Sequence, residues 1–204
     1  MCAAVAGQRG RSVLLLDHAN KAGKKILMSG GGRCNFTNYY VEPDRYLGHN
    51  PHFCKSALSR YTQWDFISLV DKYNIPYHEK QLGELFCDNK ASDILGMLLT
   101  ECEHAGVKVQ LKTSTKTIEA LATEPCRYKL TTDQGEYSCD SLVIATGGLS
   151  IPTLGASGFG FEVAEQFNLK KYEIRAGLVP FTITNQVKDV CIALSGSSCE
   201  VILE

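Results

Sequence analysis

Three groups of residues have types and spacings that could do chemistry. The first is an apolar run, Val13-Leu14-Leu15-Leu16, that ends in Asp17. In a dinucleotide-binding βαβ unit, an acid at the end of the second strand accepts hydrogen bonds from the adenosine ribose hydroxyls. The matching glycine fingerprint stands roughly 20 residues before such an acid, so it would fall just ahead of Met1. The second group lies in residues 23–38, a stretch built around Gly30, Gly31 and Gly32. Consecutive glycines let backbone N–H groups approach a ligand closely. Ser29, Asn35, Thr37 and Asn38 add neutral donors and acceptors, and Lys25 and Arg33 can offset pyrophosphate charge. The third is Leu142-Val143-Ile144-Ala145 running into Thr146, Gly147 and Gly148. Small residues at a strand end let it lie against a cofactor.

Other side chains have competing readings. Cys34 sits beside Arg33 in the glycine-rich loop, where a cation and backbone donors could lower its pKa. The plainer reading is a packing cysteine. His49, His52 and His78 could supply protons, or could be ordinary loop and strand residues. His49, His52 and Cys54 form half a metal-ligand cluster with no second half in the sequence.

These residues need elements to position them. Residues 1–10 predict a short helix stopped by Gly10. Residues 12–17 predict a strand buried on both faces of a parallel sheet. Residues 18–50 read as a long loop with short structured pieces, a length that in a compact domain is usually functional. Ala57, Tyr61, Trp64, Ile67 and Val70 recur at helical spacing and predict one helix over 53–73, ended by Asn74-Ile75-Pro76. Short strands around Gly83 and a helix over 91–104 follow. Strands are expected over 107–112, 117–121, 127–132 and 136–139, then a buried strand over 141–145 and a helix over 158–167. Residues 176–204 turn to short strands, over 179–184 and 199–203.

Bulk properties bound the function. Hydrophobic residues make up 44% of the 204 and charged residues 21%, with a formal net charge of -1. No basic run or stripe appears, so no nucleic-acid partner is expected. The longest apolar runs are far short of the ~20 residues of a spanning helix. No secretory leader is visible, and a cytoplasmic location is the expectation, with no membrane partner. The nine cysteines include no Cys-x-x-Cys pair, which predicts reduced, mostly buried thiols.

The segment over 23–38 resembles the signature of a bacterial family of FAD-dependent oxidoreductases, the BaiN-like or aminoacetone-oxidase-like family. The resemblance continues through Asn50-Pro51-His52-Phe53, residues 60–66, 76–79 and 85–87, Ala145-Thr146-Gly147-Gly148 and residues 175–181. It implies an α/β fold, with part of a Rossmann-type FAD-binding domain over 1–175 and the start of an inserted β-rich domain over 176–204. It implies that the first strand with its Gly-x-Gly-x-x-Gly, and a returning C-terminal segment, lie outside these 204 residues. Carried over by position, Asp17 would hold the adenosine ribose. Lys25, Ser29, Gly30, Gly31, Gly32, Arg33 and Asn35 would lie along the pyrophosphate and flavin. Thr115 would present backbone to the adenine, and Thr146, Gly147 and Gly148 would flank the cofactor. The implied activity is hydride or electron-pair transfer between a small organic substrate and FAD, with NAD(P)H a candidate reductant. Oxidase and reductase activities both stay open. Two rivals remain: a flavoprotein that modifies RNA, against which the near-neutral charge argues, and a fragment without turnover.

Overall fold

The computed structural model describes residues 1–122, 126–177, 182–195 and 197. They fall into two compact units, Met1–Val163 and Ala164–Glu204. The first unit opens with helix α1 (Cys2–Gln8), strand β1 (Leu14–Leu16) and helix α2 (Lys24–Met28), followed by β2 (Asn35–Asn38). Helices α3 (Lys55–Arg60) and α4 (Gln63–Lys72) lead to β3 (Tyr77–Glu79), β4 (Glu84–Cys87) and the long helix α5 (Ala91–His104). Then come β5 (Lys108–Gln110), β6 (Thr115–Ala120), β7 (Tyr128–Thr132) and β8 (Glu136–Cys139). Helix α6 (Phe159–Gln166) runs across the boundary, and α7 (Asn185–Ala193) lies in the second unit.

The chain is α/β. Strand β1 pairs in parallel with β5, Leu14 opposite Lys108 and Leu16 opposite Gln110. Parallel neighbours need a crossover, and the whole segment from α2 to α5 provides it. The other two sheets are antiparallel, in the orders β2-β4-β3 and β6-β7-β8. The main core lies between β4 and the helices that cover it. Cys34, Val70, Ile75, Cys87, Ala91, Ile94 and Met97 form its buried centre, with Ile26, Phe36, Phe66 and Tyr77 packed against it.

Helix 53–73 was expected as one element and is two. The break is chemical. Thr62 caps α4: its Oγ1 accepts from the Asp65 amide at 3.2 Å, and Asp65 Oδ2 accepts from the Thr62 amide at 2.6 Å. This reciprocal pair fixes a new helix start. Tyr61 and Trp64 therefore leave the apolar stripe and are 41% and 55% exposed, while Ile67 and Val70 stay buried.

Three further expectations change. Strand β1 is shorter than 12–17 and is not buried on both faces; Leu14 is 40% exposed. Its only strand neighbour among the described residues is β5. Residues 141–145 form no strand, and Val143 is 63% exposed. A strand is defined by its partner, and these residues have none among the described ones. The strands expected over 179–181 and 199–203 lie outside the described residues. Residues 182–184 are irregular, and α7 follows with Thr184 at its N-cap position. No described helix is long and apolar enough to cross a membrane.

One buried carboxylate ties three helices of the first unit together. Glu101 on α5, 6% exposed, accepts from Gln8 Nε2 of α1 (2.9 Å), Lys72 Nζ of α4 (2.8 Å) and Tyr73 Oη (2.8 Å). The Lys72 ammonium and then the Tyr73 hydroxyl hold its carboxyl below the usual carboxylate range. A depressed native pKa stabilises the fold above the unfolded carboxylate pKa, and that contribution disappears as pH falls through the lowered value. Glu101→Ala is expected to cost about 1–3 kcal/mol, the scale for hydrogen bonds to a charged group. Thermal melts between neutral and acidic pH check it: the variant should lose part of the acid-side slope. Equal slopes would place no linkage at Glu101.

Candidate dinucleotide-contact surface

Asp17 follows β1 at the carboxyl end of the parallel pair, where ligands of open α/β sheets bind. Its backbone is held on both sides. The amide donates to Gln110 O and the carbonyl accepts from the Thr113 amide, each at 3.0 Å. Oδ1 accepts from the Ala19 amide at 2.8 Å. The carboxylate is thus aimed by a local turn while the residue stays partly exposed. Thr115, the first residue of β6, is two positions beyond Thr113. Backbone pairing through Thr113 therefore brings the start of β6 close to Asp17.

The glycine-rich loop leaves α2 through Ser29, whose Oγ donates to Ile26 O at 2.8 Å. Its three glycines have different duties. Gly30 (φ 57°) has no room for a side chain: a Cβ there would stand 2.6 Å from the Phe86 ring and 2.8 Å from the Asn35 amide nitrogen. Gly31 (φ 65°) and Gly32 (φ 89°) face open space. Arg33 is exposed, and no acid pairs with it among the described residues. Its carbonyl accepts from the Cys87 amide at 3.0 Å, which anchors the loop to β4. With its amide nitrogen turned inward, Asn35 donates to Thr37 O (3.1 Å) and Leu85 O (3.3 Å). Asn35 therefore ties the start of β2 to its own strand and to β4.

Lys25 links this loop to the third group. Its Nζ donates to Ser150 Oγ at 3.3 Å, two residues past Gly148. Thr146, Gly147 and Gly148 are exposed; Gly147 has φ 77°, and a Cβ at either glycine would meet nothing. Thr146 Oγ1 stands 3.1 Å from the place a Gly160 Cβ would take, so the turn packs on the start of α6. Two contributors were missed in the sequence. Gly155 (φ 92°) leaves its Cβ position to His18 Nε2, at 2.7 Å, and this brings the segment before α6 against the Asp17 turn. The signal was present: Gly155 and Gly158 stand just ahead of α6, with Gly160 in its first turn. Cys34, with φ 55°, is 4% exposed and packs in the core. Among the described residues no group of three His, Cys, Asp or Glu side chains could hold a metal.

The surface so assembled has a carboxylate at a strand end, one lysine beside a hydroxyl, and left-handed glycines with unobstructed faces. That donor set fits a dinucleotide: an acid for ribose hydroxyls, a cation and free backbone for pyrophosphate. The family model described as the HI0933-like protein Rossmann domain matches residues 1–189. The chain belongs to the HI0933-like Rossmann domain family.

Members and relatives sharpen the picture. The ribosomal RNA dihydrouridine synthase of Escherichia coli (strain K12) is 54% identical over 195 residues, 96% of this chain and 48% of that protein. The enzyme of the same name from Haemophilus influenzae is 49% identical over 203 residues, 99% of this chain and 50% of that protein. The 3-dehydro-bile acid delta(4,6)-reductase of Clostridium scindens is 27% identical over 166 residues, 79% of this chain and 40% of that protein. The chain spans about half the length of the curated relatives it matches. The half-identical relatives of this HI0933-like domain do not carry the BaiN-like or aminoacetone-oxidase-like name expected from the resemblance. They also overturn the expectation of no nucleic-acid partner, because both are named for action on ribosomal RNA. The physical fault in that expectation is that a net charge of -1 describes the whole chain and averages away any local face.

The loop yields a test. Gly30→Ala is expected to reduce folded yield sharply, since ring and backbone would both have to move. In a full-length protein containing the sequence, Gly31→Ala meets only the left-handed backbone, about 1–2 kcal/mol. It should fold and lose flavin in proportion more than it loses stability. Flavin absorbance per mole of folded protein, beside the melting temperature, separates the two. Normal flavin content with lowered stability in Gly31→Ala would make the loop purely structural.

Proposed function

We propose that the protein containing this domain is an FAD-dependent enzyme that reduces uridine in ribosomal RNA to dihydrouridine. The observation that carries the reading is identity of about half, over nearly the whole chain, to two proteins of that name. Asp17 would accept hydrogen bonds from the adenosine ribose, and Thr115 would lie by the adenine. Lys25 would balance pyrophosphate charge, with the backbone of Gly30, Gly31 and Gly32 close to the phosphates. Ser29, Arg33 and Asn35 would set the shape and polarity of that loop. Thr146, Gly147 and Gly148 would flank the cofactor from the other side.

Dihydrouridine differs from uridine by one hydride and one proton added across the base's C5–C6 double bond. Bound FAD, once reduced, supplies the hydride equivalent. A reductant such as NAD(P)H would restore it. The residues named here bind and orient; no proton donor to the base is assigned among them. The experiment uses the full-length protein, reduced flavin and ribosomal RNA from cells lacking the gene. Mass spectrometry of RNA digests should show dihydrouridine formed in proportion to enzyme. Flavin turnover with bile-acid-like enones and none with RNA would turn the assignment toward the third relative.

A further inference from the structure

Between Asp44 and Asp65 the chain runs for residues 45–64 without a single acid. It carries Arg45, Lys55 and Arg60, with Tyr46, Phe53, Tyr61 and Trp64 between and beside them. Among residues 45–61 all but Cys54 and Leu58 are exposed, Tyr46 and Tyr61 at 49% and 41%. Phe53 is 86% exposed. Trp64 stacks on Tyr39 with ring centroids 5.5 Å apart and 26° between planes, yet keeps 55% of its surface open. Lys55 and Arg60 form no ion pair among the described residues. Large aromatic rings held in water cost free energy unless something covers them. Arg45 lies 3.7 Å from Asp44, which leaves Lys55 and Arg60 as the cations among these rings, and cations so placed suit a polyanion whose bases have flat faces.

We propose that residues 45–64 receive an unpaired segment of RNA, its bases stacking on Phe53 and Trp64 and its phosphates meeting Lys55 and Arg60. Sequence-tolerant binding of single strands combines these two elements, aromatic platforms and cations along the backbone. A protein-binding patch would have its charges at a rim and an apolar centre; here Lys55 and Arg60 lie between Phe53 and Trp64 in the chain. The surface is joined to the cofactor loop. Strand β2 continues from that loop, and Gln63 Nε2 donates to Tyr39 O at its far end, 2.9 Å away. The inference rests on the RNA reading above and names the face that would hold the substrate.

The test uses the full-length holoprotein, a fluorescent single-stranded oligouridylate and ribosomal RNA. Phe53→Ala and the double variant Lys55→Glu/Arg60→Glu should bind the oligonucleotide about tenfold or more weakly. The double variant should also show a flatter dependence on salt. Flavin content and melting temperature should stay at wild-type values. Trp64 supplies a direct readout. The fluorescence difference between wild type and Trp64→Phe should be quenched by the oligonucleotide and untouched by inorganic phosphate. If the wild type forms dihydrouridine while both variants match it in RNA affinity and rate, this surface is wrong and the RNA reading survives. If the wild type neither binds nor modifies RNA, that reading falls and takes the surface with it. Variants that lose only a protein partner, with RNA binding intact, also overturn the proposal.

Discussion

A polypeptide of residues 1–204 expressed by itself is expected to purify without the yellow of bound flavin. Three features of the fold point the same way. Strand β1 has one strand neighbour among the described residues, with Leu14 40% exposed. Open edges with apolar side chains recruit other chains. Residues 142–145, which lead into Thr146-Gly147-Gly148, have no strand partner among the described residues, with Val143 63% and Ile144 36% exposed. The second contact surface would therefore be loosely held. In the second unit, Val187, Val190, Ile192 and Leu194 are each more than half exposed. The expected product is poorly soluble or colourless. Its visible spectrum after mild purification is the measurement. Near-stoichiometric FAD would show that the loop and the Ala-Thr-Gly-Gly turn hold the cofactor unaided.

In a full-length protein, Asp17→Ala should weaken FAD by about 1–3 kcal/mol, roughly 5- to 150-fold in Kd. The substitution is a clean probe because the Asp17 backbone is fixed through Gln110 and Thr113, independently of its side chain. It does remove the bond from the Ala19 amide to Oδ1. Asp17→Asn keeps that acceptor and discards the charge, so it should fall between wild type and alanine. Titration of apoprotein with FAD, followed by flavin fluorescence, gives the three constants. Equal constants would remove Asp17 from the ribose.

What the sequence revealed was whatever is settled locally. Helix α5 spans the expected residues 91–104, because Ile94, Met97 and Cys102 bury one face and Gly106 stops it with φ 67°. The turn at Asp133-Gln134-Gly135 joins β7 to β8 as its residue types require. The capping box at Thr62 is also local, but an apolar stripe at helical spacing runs across it and masks the break. Residues 141–145 failed for the opposite reason. Their composition is right for a strand, and composition cannot supply a partner. Within the site, the glycines and Asp17 were visible as types. Gly30's need to admit the Phe86 ring, His18's place against Gly155 and the Lys25–Ser150 link join residues 56, 137 and 125 positions apart, so no local window contains them. The nucleic-acid expectation failed because charge was summed along the chain when a partner meets only one face.

The thiols offer a clock for motions inside the first unit. Cys87, in the middle strand of β2-β4-β3, is fully buried, and desolvation pushes its thiol up to about 12. Cys139, at the end of β8, is partly exposed and is also raised by burial. A thiol reacts as thiolate, so each waits for its own neighbourhood to open before an alkylating reagent can capture it. Peptide-resolved alkylation over time would then report two opening rates from one unmodified sample. Matching rates would mean that the two antiparallel sheets breathe as one body. A faster Cys139 would mean that the β6-β7-β8 meander comes loose while the core beneath the glycine loop stays shut.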